Sequence, residues 1–512
     1  MATPNLNHTP VLVVGAGIMG AGIAQVAAQA GHPVLLFDAR AGAAAQSKAK
    51  LATTLDGLVG KGKLAAEAAQ AALARITPVA TLEEGRDVQL VVEAIVEDLE
   101  IKRALLRQLE ALVATDCVLA TNTSSISVTA LAHGMAHPGR LVGMHFFNPV
   151  PLMKLVEVVS GLHTDSAVAE SIFALSQAWG KVPVHARSTP GFIVNRIARP
   201  YYAEALALLH EQAATPQVLD ACLRAAGFRM GPCELMDLIG HDTNFAVTNS
   251  VFEANFFDRR YVPSQVQREL VDGGWLGRKS GRGFYRYPEG APALPEVVHE
   301  APALAREVTV HGDGAIADHL ERVTATALAA QGLRPARVQG SAWTGLAIDG
   351  ARLVLTDGRC ARELAITMGT GAVAVFDRPL ALAAPAGSAL AYAVADAASD
   401  TWRVQAAAWL AALGFVPLAV ADTPGLVVAR TLAMLVNEAA DAVLQGVCTT
   451  AGADAAMKLG VNYPAGPFEW LAGWGVSGVV ALLDALDAQY RGERYRVSPW
   501  LRRQWRRADD TP

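Results

Sequence analysis

The sequence predicts a doubly wound α/β sheet followed by an all-α domain, and then a shortened repeat of the same pair. Three observations predict this arrangement. Short apolar runs alternate with helical patterns up to about residue 187, as they do in doubly wound parallel sheets. Strand patterns stop after Pro190. Motifs found after residue 180 recur after residue 414.

The first α/β region contains short apolar runs that suit strands buried on both faces. The predicted strands are Val11–Val14, Val34–Phe37, Leu90–Val92, Val118–Ala120 and Leu141–Met144. The helical patterns between them cover Ile18–Ala30, Ala43–Gly60, Leu64–Leu73 and Leu99–Val113. Gly31 stands where a residue in left-handed conformation would end the first helix.

Helical patterns follow Pro190, over residues 192–212, 216–226 and two further stretches before Arg286. The segment Thr189-Pro-Gly-Phe-Ile-Val-Asn-Arg196 is similar to Thr423-Pro-Gly-Leu-Val-Val-Ala-Arg430. Likewise, Gly231-Pro-Cys-Glu234 is similar to Gly466-Pro-Phe-Glu469. Because the separation stays at 234 or 235 residues, we predict that the helical domain occurs twice.

A reduced α/β domain is predicted between the two helical copies. Its strands are Val308–Val310, Leu353–Leu355 and Ala372–Phe376, and Gly312-Asp-Gly314 follows the first of them. Residues 288–302 are rich in Pro, Ala and Glu, which is typical of a linker. The predicted domains are therefore 1–187 (α/β), 188–287 (helical), 303–398 (reduced α/β) and 399–512 (second helical).

The overall charge argues against one class of function. The chain has 43 basic and 48 acidic residues and a net charge of −5, whereas proteins that bind nucleic acid usually carry a basic surplus. We therefore expect no nucleic-acid partner. Seven arginines lie between Arg491 and Arg507, and we interpret them as a solvated tail or helix face.

Cysteine usage and hydropathy indicate the compartment. The five cysteines form no CxxC pair and have no histidine at ligand spacing, which fits a reducing cytoplasm and predicts no metal site. Residues Thr9 to Phe37 lack Asp, Glu, Lys and Arg, as a membrane span would. Five glycines interrupt them and no basic segment precedes them, so we expect a strand, a turn and a helix without membrane contact.

The segment Gly15-Ala-Gly-Ile-Met-Gly20 has the spacing of a Rossmann-type dinucleotide-binding turn, because it follows a strand and opens a helix. Its first glycine permits the tight turn, the second lets the pyrophosphate approach, and the third lets helix and strand pack closely. The N–H groups at the start of the helix favour an anion. The predicted cofactor contacts here are Gly15, Gly17, Ile18, Met19 and Gly20.

Asp38, at the end of the second strand, selects between the two nicotinamide cofactors. Its carboxylate would accept hydrogen bonds from the ribose hydroxyls and would repel a 2′-phosphate, which favours NAD over NADP. Arg40 is the nearby feature that would suit NADP.

A histidine and a glutamate stand on consecutive predicted strands. His145 ends the strand that begins at Leu141, and Glu157 is the one acid in the apolar run Leu155–Val159. A turn through Pro149 and Pro151 would bring the two side chains together. Such a pair suits alcohol oxidation, because the imidazole takes the hydroxyl proton and the carboxylate stabilises the imidazolium. From the residues alone, a lone histidine on an apolar strand is more often a hydrogen-bonded core residue.

The motifs follow one another in an order that resembles NAD-dependent 3-hydroxyacyl-CoA dehydrogenases, over about residues 8–287 and more weakly over 400–485. The long form with a reduced second half implies fatty-acid β-oxidation or phenylacetate catabolism. The motifs are Gly15–Gly20, Val92-Glu-Ala-Ile-Val-Glu97, Asn122-Thr-Ser-Ser125, His145-Phe-Phe-Asn-Pro149, Pro190-Gly-Phe-Ile-Val-Asn-Arg196 and Gly277-Arg-Lys-Ser-Gly-Arg-Gly-Phe-Tyr285.

The resemblance implies a role for each motif residue. His145 is the implied catalytic base and Glu157 its partner. Ser124 would contact both substrate and nicotinamide, and Asn195 would steady the substrate carbonyl region. The remaining implied contacts are to the cofactor (Glu97, Lys102, Asn148 and Lys279) and to coenzyme A (Thr54 and Lys61).

Simpler readings of four of these residues stay open. Asn195 also suits a helix cap and Ser124 a turn. Lys61 and Lys102 also suit a solvated surface.

The expected activity is oxidation of a 3-hydroxyacyl-CoA by NAD. The alternatives are a dehydrogenase of a free β-hydroxyacid and a non-catalytic NAD-binding structural protein. The second copy lacks the chemistry, because Ala429 replaces Asn195 and Ala317 replaces the third glycine. In the family the helical domain forms dimers, so we expect either a homo-oligomer or an internal pseudo-dimer of the two copies.

Overall fold

The computed structural model describes residues 5–294, 297, 299–329, 332–380 and 387–509. The chain forms two compact units: Met1–Arg196 with Ala442–Asn462, and Ile197–Asp441 with Tyr463–Pro512. The four-domain division stays a prediction. Its linker includes residues 295, 296 and 298, which lie outside the described residues.

The first α/β region contains every strand and helix that its sequence predicts, with ends shifted by one or two residues. The elements up to residue 294 are β1 (Val11–Val14), α1 (Ile18–Gln29), β2 (Val34–Phe37), α2 (Ala43–Gly60), α3 (Ala66–Arg75), β3 (Ile76–Pro78), β4 (Leu90–Glu93), α4 (Leu99–Leu112), β5 (Val118–Thr121), α5 (Val128–Ala132), β6 (Leu141–Phe146), β7 (Leu155–Ser160), α6 (Ser166–Ala178), β8 (Val182–Arg187), α7 (Val194–Ile197), α8 (Arg199–His210), α9 (Pro216–Ala225), α10 (Pro232–Ile239), α11 (His241–Ala254) and α12 (Gln265–Asp272).

The first unit is built on a sheet of eight strands in the order β3-β2-β1-β4-β5-β6-β7-β8. All neighbours are parallel except β6 and β7, which are antiparallel with His145 opposite Glu157. The strand order reverses between β1 and β4. In open α/β sheets a ligand binds in the crevice at this reversal, beyond the carboxyl ends of the strands.

The core of this unit consists of the central strands and the helices packed on them. All four residues of β1, β4 and β5 are buried. Helix α1 has glycine at positions 20 and 22, which allows it to lie close to its neighbours. The charge-free stretch from Thr9 to Phe37 is therefore β1, the glycine turn, α1 and β2, as the sequence predicts.

The second half begins with the reduced α/β domain. Its elements, with those that follow, are β9 (Val308–His311), α13 (Gly314–Leu328), β10 (Ala336–Val338), β11 (Gly345–Ile348), β12 (Ala351–Leu355), α14 (Ala361–Met368), β13 (Val373–Phe376), β14 (Ser388–Val394), α15 (Asp400–Ala412), β15 (Phe415–Ala419), α16 (Val428–Leu444), α17 (Thr450–Gly460), α18 (Pro467–Trp474), α19 (Val476–Tyr490) and α20 (Pro499–Asp509).

The reduced domain has a sheet of seven strands in the order β10-β9-β11-β12-β13-β14-β15. It is mixed, because β11 runs antiparallel to both β9 and β12. A short hairpin, β11–β12, thus replaces the long crossovers of the first sheet. This is why the sequence shows fewer helices between its strands.

One interpretation of the sequence is wrong in part. Four of the seven C-terminal arginines lie on the helix α20 and three precede it, and not all of them are solvated. The guanidinium of Arg494 donates a hydrogen bond of 2.8 Å to the fully buried Glu204.

Among the described residues, no single helix has the length and hydropathy of a membrane span. The bent pair α18 and α19 passes the test only when the two helices are taken together.

Candidate functional site

The turn after β1 requires glycine at two positions. Gly15 has φ of +105°, and a Cβ atom there would lie 2.5 Å from the carbonyl oxygen of Ala94. A Cβ atom at Gly20 would lie 1.7 Å from the oxygen of Gly15 itself. By contrast, a Cβ atom at Gly17 would meet nothing within 4 Å, so this side of the turn faces open space.

A cavity of about 580 Å³ adjoins this turn in the first unit. Its lining includes five predicted or suspected contacts: Gly17, Ile18, Arg40, Thr54 and Asn148. The open space before Gly17 and the N-terminus of α1 fit the pyrophosphate of a dinucleotide. The turn, α1 and α2 thus form a cavity whose residues suit NAD.

Two residues of this region that are predicted to contact a ligand, Met19 and Lys61, do not line the cavity. Met19 is partly buried against the hydrophobic core of the first unit. Lys61 is exposed at the end of α2 and is not part of the cavity lining, unlike Thr54 on the same helix. The predicted contacts of Met19 with cofactor and of Lys61 with coenzyme A stay predictions.

Asp38 holds the glycine turn in place and pairs with Arg40, which lines the cavity. Its Oδ2 accepts a hydrogen bond of 2.9 Å from the N–H of Ala16, and its Oδ1 accepts bonds from the N–H and Nε of Arg40. Burial acts to raise the pKa of Asp38, but the bonds from Arg40 and Ala16 outweigh it, so the pKa lies below its usual value. The carboxylate is therefore ionised at neutral pH, as recognition of ribose hydroxyls requires.

Glu97 organises the loop that follows β5. Its Oε1 accepts hydrogen bonds from the hydroxyl of Thr123 at 2.7 Å, the N–H of Ser124 at 2.8 Å and the N–H of Ser125 at 3.0 Å. Burial acts to raise the pKa of Glu97, and the charge of Lys102 with these hydrogen bonds lowers it below its usual value. A charged Glu97 thus fixes the backbone of the predicted substrate contact.

Lys102 is a buried ion-pair residue, with 1% of its surface exposed. Its Nζ lies 2.6 Å from Glu93 and 3.3 Å from Glu97. This contradicts the open reading of Lys102 as a solvated lysine. The ammonium faces carboxylates, so its direct contact with cofactor stays a prediction.

Ser124 and Asn195 are adjacent in the first unit. The side-chain amide of Asn195 donates a hydrogen bond of 3.3 Å to the carbonyl oxygen of Ser124. Both residues are half-buried. The loop after β5 and the start of α7 therefore present a hydroxyl and an amide side by side.

The histidine and the glutamate form the pair that the sequence predicts. His145 Nδ1 lies 2.6 Å from Glu157 Oε2, and the two residues are 5% and 0% exposed. The other oxygen, Oε1, accepts hydrogen bonds from the N–H groups of Ile193 and Val194 at 3.1 and 2.9 Å. With Nδ1 engaged, the imidazole has its Nε2 available to exchange a proton with a substrate.

Aromatic rings surround the imidazole. The ring of Phe147 is 4.5 Å and that of Phe192 is 5.9 Å from the ring of His145, between centroids. Phe192 adopts φ of +47° after Gly191, in the repeated Thr-Pro-Gly motif. The imidazole of His145 thus lies among aromatic rings, in an environment that is shielded from bulk water.

Three residues that support the site had no role assigned from sequence. Glu93 binds Lys102, and the side-chain oxygen of Asn122 accepts the N–H of Phe146. Both stand within motifs that the sequence singles out, so their position could have suggested a role. Lys181 donates to the carbonyl oxygens of Val150 and Met153 after Pro149, and no sequence pattern marks it.

Lys279 lies in the second unit, within the last of the family motifs, and is exposed. Its Nζ forms an ion pair of 2.5 Å with Asp242. Its predicted contact with cofactor stays a prediction.

Comparison with known proteins agrees with this geometry. The family model "3-hydroxyacyl-CoA dehydrogenase, NAD binding domain" matches residues 10–189, and the C-terminal domain of the same enzymes matches both 191–287 and 425–508. The model of the 3-hydroxybutyryl-CoA dehydrogenase reduced Rossmann-fold domain matches residues 353–424. The α/β Rossmann-type domain, the helical domain, the reduced Rossmann-like domain and the second helical copy are thus confirmed.

Two of the relatives match almost the whole length of this chain. 3-Hydroxyadipyl-CoA dehydrogenase of Escherichia coli K12 is 44% identical, over 97% of each chain. The crystal structure of 3-hydroxybutyryl-CoA dehydrogenase from Escherichia coli K12 covers 98% of both chains, with a TM-score of 0.86 and 43% identity. Human mitochondrial hydroxyacyl-coenzyme A dehydrogenase is 40% identical over 54% of this chain and 90% of its own. The chain therefore belongs to the NAD-dependent 3-hydroxyacyl-CoA dehydrogenase family.

Proposed function

We propose that this enzyme oxidises (S)-3-hydroxyacyl-CoA to 3-oxoacyl-CoA with His145 as the base. The observation that carries the proposal is the 2.6 Å bond between His145 and Glu157 beside the cofactor end of the sheet. The 3-hydroxyl gives its proton to Nε2 of His145. The Glu157 carboxylate stabilises the resulting imidazolium, and in reverse His145 acts as the acid.

When bound, NAD would supply the acceptor for the hydride that leaves C3 of the substrate. The residues proposed to hold it are Gly15, Gly17, Gly20 and Asp38, with Asn148, which also lines the cavity. Glu97 would fix the backbone of the loop that carries Ser124. In this proposal Ser124 and Asn195 bind the substrate near its reacting carbons, and Thr54 and Lys61 bind coenzyme A.

The proton-transfer step is tested with His145→Gln, which keeps a polar side chain but cannot act as a base. We expect kcat to fall by about 10²–10⁴-fold, the usual contribution of a general base. The measurement is NADH formation from 3-hydroxybutyryl-CoA. His137→Gln, at an exposed position, is the matched control. Turnover of His145→Gln within a few-fold of the wild type would reject the assignment.

Two other functions make different predictions. A dehydrogenase of free β-hydroxyacids would turn over 3-hydroxybutyrate without its thioester, and a structural NAD-binding protein would turn over neither. The retained set of His145, Glu157, Ser124 and Asn195 supports catalysis on the thioester. A substrate screen with and without coenzyme A separates the three.

The acyl group and the pathway are the finer part of the proposal. One relative acts on 3-hydroxyadipyl-CoA and another on 3-hydroxybutyryl-CoA, according to their names. We therefore propose a place in fatty-acid β-oxidation or phenylacetate-type catabolism. The ratio of kcat/KM for the two thioesters decides between a dicarboxylic and a short apolar acyl group.

The proposed location is the cytoplasm, because all five cysteines are free thiols, as in a reducing compartment. We also propose that the two helical copies form an internal pseudo-dimer. Supporting contacts lie within the second unit, where Arg430 and Arg494 of the second copy bind Glu204 of the first at 2.7 and 2.8 Å.

A further inference from the structure

The second helical copy contributes a segment to the unit that contains the dyad. Residues Ala442–Asn462 belong to the first unit and include α17. This helix packs against β8 and against β7, the strand that carries Glu157. A part of the copy without a dyad therefore lies beside the dyad of the other copy.

Gly460, the last residue of α17, contacts three residues that hold the dyad. A Cβ atom there would lie 2.6 Å from Leu155 and 3.0 Å from Val194, with Phe147 at 3.7 Å. Leu155 precedes Glu157 on β7, and the N–H of Val194 donates to Glu157. The ring of Phe147 packs on His145. Any side chain at residue 460 would therefore displace supports of both His145 and Glu157.

The loop before α17 makes polar contacts on the same side. The carbonyl oxygen of Val447 accepts the N–H of Arg187 at 2.9 Å, and the side-chain oxygen of Gln445 accepts a bond of 2.7 Å from Arg196. Arg196 directly follows Asn195. Burial, with the charge of Glu157 adding to it, raises the pKa of the nearby Cys448 to about 12, so that thiol is an inert packing group.

We propose that α17 and its preceding loop position the catalytic dyad, with Gly460 and Gln445 as the positioning residues. This inference rests on the proposed role of His145 and Glu157. It gives a positioning role to a copy that lacks the chemistry itself.

The test is Gly460→Ala, measured in the full chain, with Gln445→Ala as a second variant. We expect Gly460→Ala to lower kcat by roughly tenfold or more, because small displacements of reacting groups are costly. We also expect the pH profile of kcat to shift, since the bond between His145 and Glu157 changes. KM for NAD should stay within about twofold, because Gly460 is not part of the cofactor cavity lining.

Ala226→Val is the matched control, because Ala226 lies 234 positions before Gly460 and follows α9, which packs on β14. It should lower the melting temperature without moving the pH profile. If Gly460→Ala changes the melting temperature but neither kcat nor its pH profile, α17 has only a packing role and the inference is wrong. Retained activity of His145→Gln would instead reject the proposed function, whatever Gly460→Ala does.

A separate cavity, of about 800 Å³, lies within the second unit at the reduced sheet. It occupies the place that the reaction site has in the first sheet, beyond the turn after β9 and the ends of β12 and β13. Asp377 has the position in the reduced sheet that His145 has in the first sheet. The N–H of Asp377 donates to the carbonyl oxygen of Ala391 on the neighbouring strand β14. In the first sheet His145 lies opposite Glu157 on the neighbouring strand β7. The dyad is thus replaced by an aspartate and an alanine.

The residues at this cavity, and Asp377 buried beside it, differ from those of the first site. Asp377 accepts the N–H groups of Val427, Val428 and Ala429 and so has a structural role. Asp313 stands where Ala16 stands in the first turn, and its negative charge disfavours a pyrophosphate. A dinucleotide is therefore a poor ligand here.

One cation in the cavity lining, Arg378, forms no salt bridge among the described residues, although the charge of the neighbouring Asp377 acts on it. The guanidinium of Arg378 stacks on Trp474 with 4.4 Å to the ring centroid. Burial lowers its pKa to about 10, so it is still charged at neutral pH. The three lining acids are engaged elsewhere: Asp357 by Arg359, Glu469 by the N–H of Gly466, and Asp313 by the N–H of Gly340.

The geometry points to a binding site for a monocarboxylate with an apolar body. The carboxylate would pair with Arg378, in the bidentate manner that arginine favours. The body would contact the indole rings that line the cavity, Trp343, Trp470 and Trp474. Cavities of this size with few polar groups are typical small-molecule sites.

The test uses 2-naphthoate and its neutral analogue 2-naphthol, by calorimetry on the full chain with NAD and acetyl-CoA present to fill the reaction site. We expect naphthoate to bind at least about tenfold more tightly, and Arg378→Met to remove this difference while the exposed control Arg362→Met keeps it. Arg378→Lys serves if the methionine variant does not fold, and should weaken naphthoate. Equal affinity for the two probes, or unchanged affinity in the Arg378 variants, would overturn the site.

Discussion

Glu157 uses its two carboxylate oxygens for two different purposes. Oε2 binds His145, and Oε1 accepts the N–H groups that begin the helical region, at Ile193 and Val194. In the second half Asp377, at the position of His145, holds the start of the helical region by accepting the N–H groups of residues 427–429. The carboxylate that joins sheet to helix is thus common to both halves, whereas the histidine is found in one.

Asp38 offers a test of cofactor choice at the residue scale. In Asp38→Ala, the bonds to ribose are lost and Arg40 is released from its ion pair. We expect NAD to bind roughly 10–100-fold more weakly, as for loss of about 1.5–3 kcal/mol of charged hydrogen bonding. NADP should bind more tightly, because Arg40 can then meet the 2′-phosphate.

The measurement is the ratio of kcat/KM for NAD and NADP. Asp87→Ala, at an exposed position, is the control and should leave the ratio unchanged. An unchanged ratio in Asp38→Ala would show that Asp38 does not select the cofactor.

At the scale of elements, the strand–turn–helix unit β1–α1 separates two uses of glycine. Gly20 is needed for packing, because its Cβ would collide with the oxygen of Gly15. Gly17 is not needed for packing, because a Cβ there meets no atom of the protein. The two positions therefore affect stability and cofactor binding differently.

We expect Gly20→Ala to lower the free energy of unfolding by about 3 kcal/mol, as overpacking does. Gly17→Ala should change it by less than about 1 kcal/mol but weaken NAD by roughly tenfold or more, since the methyl group would occupy the pyrophosphate approach. Urea unfolding and NAD titration of both variants are the measurements. A Gly17→Ala enzyme with unchanged NAD affinity would contradict this division.

At the scale of the whole molecule, each helical copy makes the same kind of contact with the other within the second unit. Arg494 and Tyr495 of the second copy bind Glu204, and Arg260 and Tyr261 of the first bind Glu438. Each residue is 234 positions from its counterpart. Such a reciprocal contact is what a two-fold interface between identical subunits has. It supports the proposed pseudo-dimer.

Glu204 is the residue on which this contact depends most. It is fully buried and binds Arg430, Arg494 and Tyr495. Burial acts to raise the pKa of Glu204, but the charges of Arg494 and Arg430 lower it below its usual value. We expect Glu204→Gln to lower the free energy of unfolding by about 3–5 kcal/mol, because buried cations are left unpaired.

The contribution of Glu204 to the free energy of unfolding depends on pH, and the direction of this dependence follows from the pKa shift. Because the folded pKa of Glu204 is depressed, its contribution to stability is complete above the unfolded pKa of about 4.3 and is lost as the pH falls further. Melting temperatures of wild type and Glu204→Gln should therefore converge below that pH. Asp396→Asn, in an exposed ion pair, is the control and should have little effect. A constant difference at all pH values would contradict the argument.

Local patterns determined much of this protein. The strands and helices around the glycine turn, the repeat, and the approach of His145 to Glu157 all follow from spacing and apolar runs, because neighbouring strands fix which residues meet. The strands β3 and β8 were not predicted, since they lie at the sheet edges and carry weak patterns. The burial of Lys102 was also not predicted, because its partners come from two other segments.

By itself, the sequence determined the fold class, the duplication, the cofactor turn and the family. These depend on contacts between residues close in the chain or on motifs kept in order. Only the tertiary structure decided that α17 of the second copy packs beside β7, nearly 300 positions earlier. Only it decided that Arg494 lies on Glu204. Contacts over such separations depend on how whole elements pack, and a single sequence carries no local signal for them.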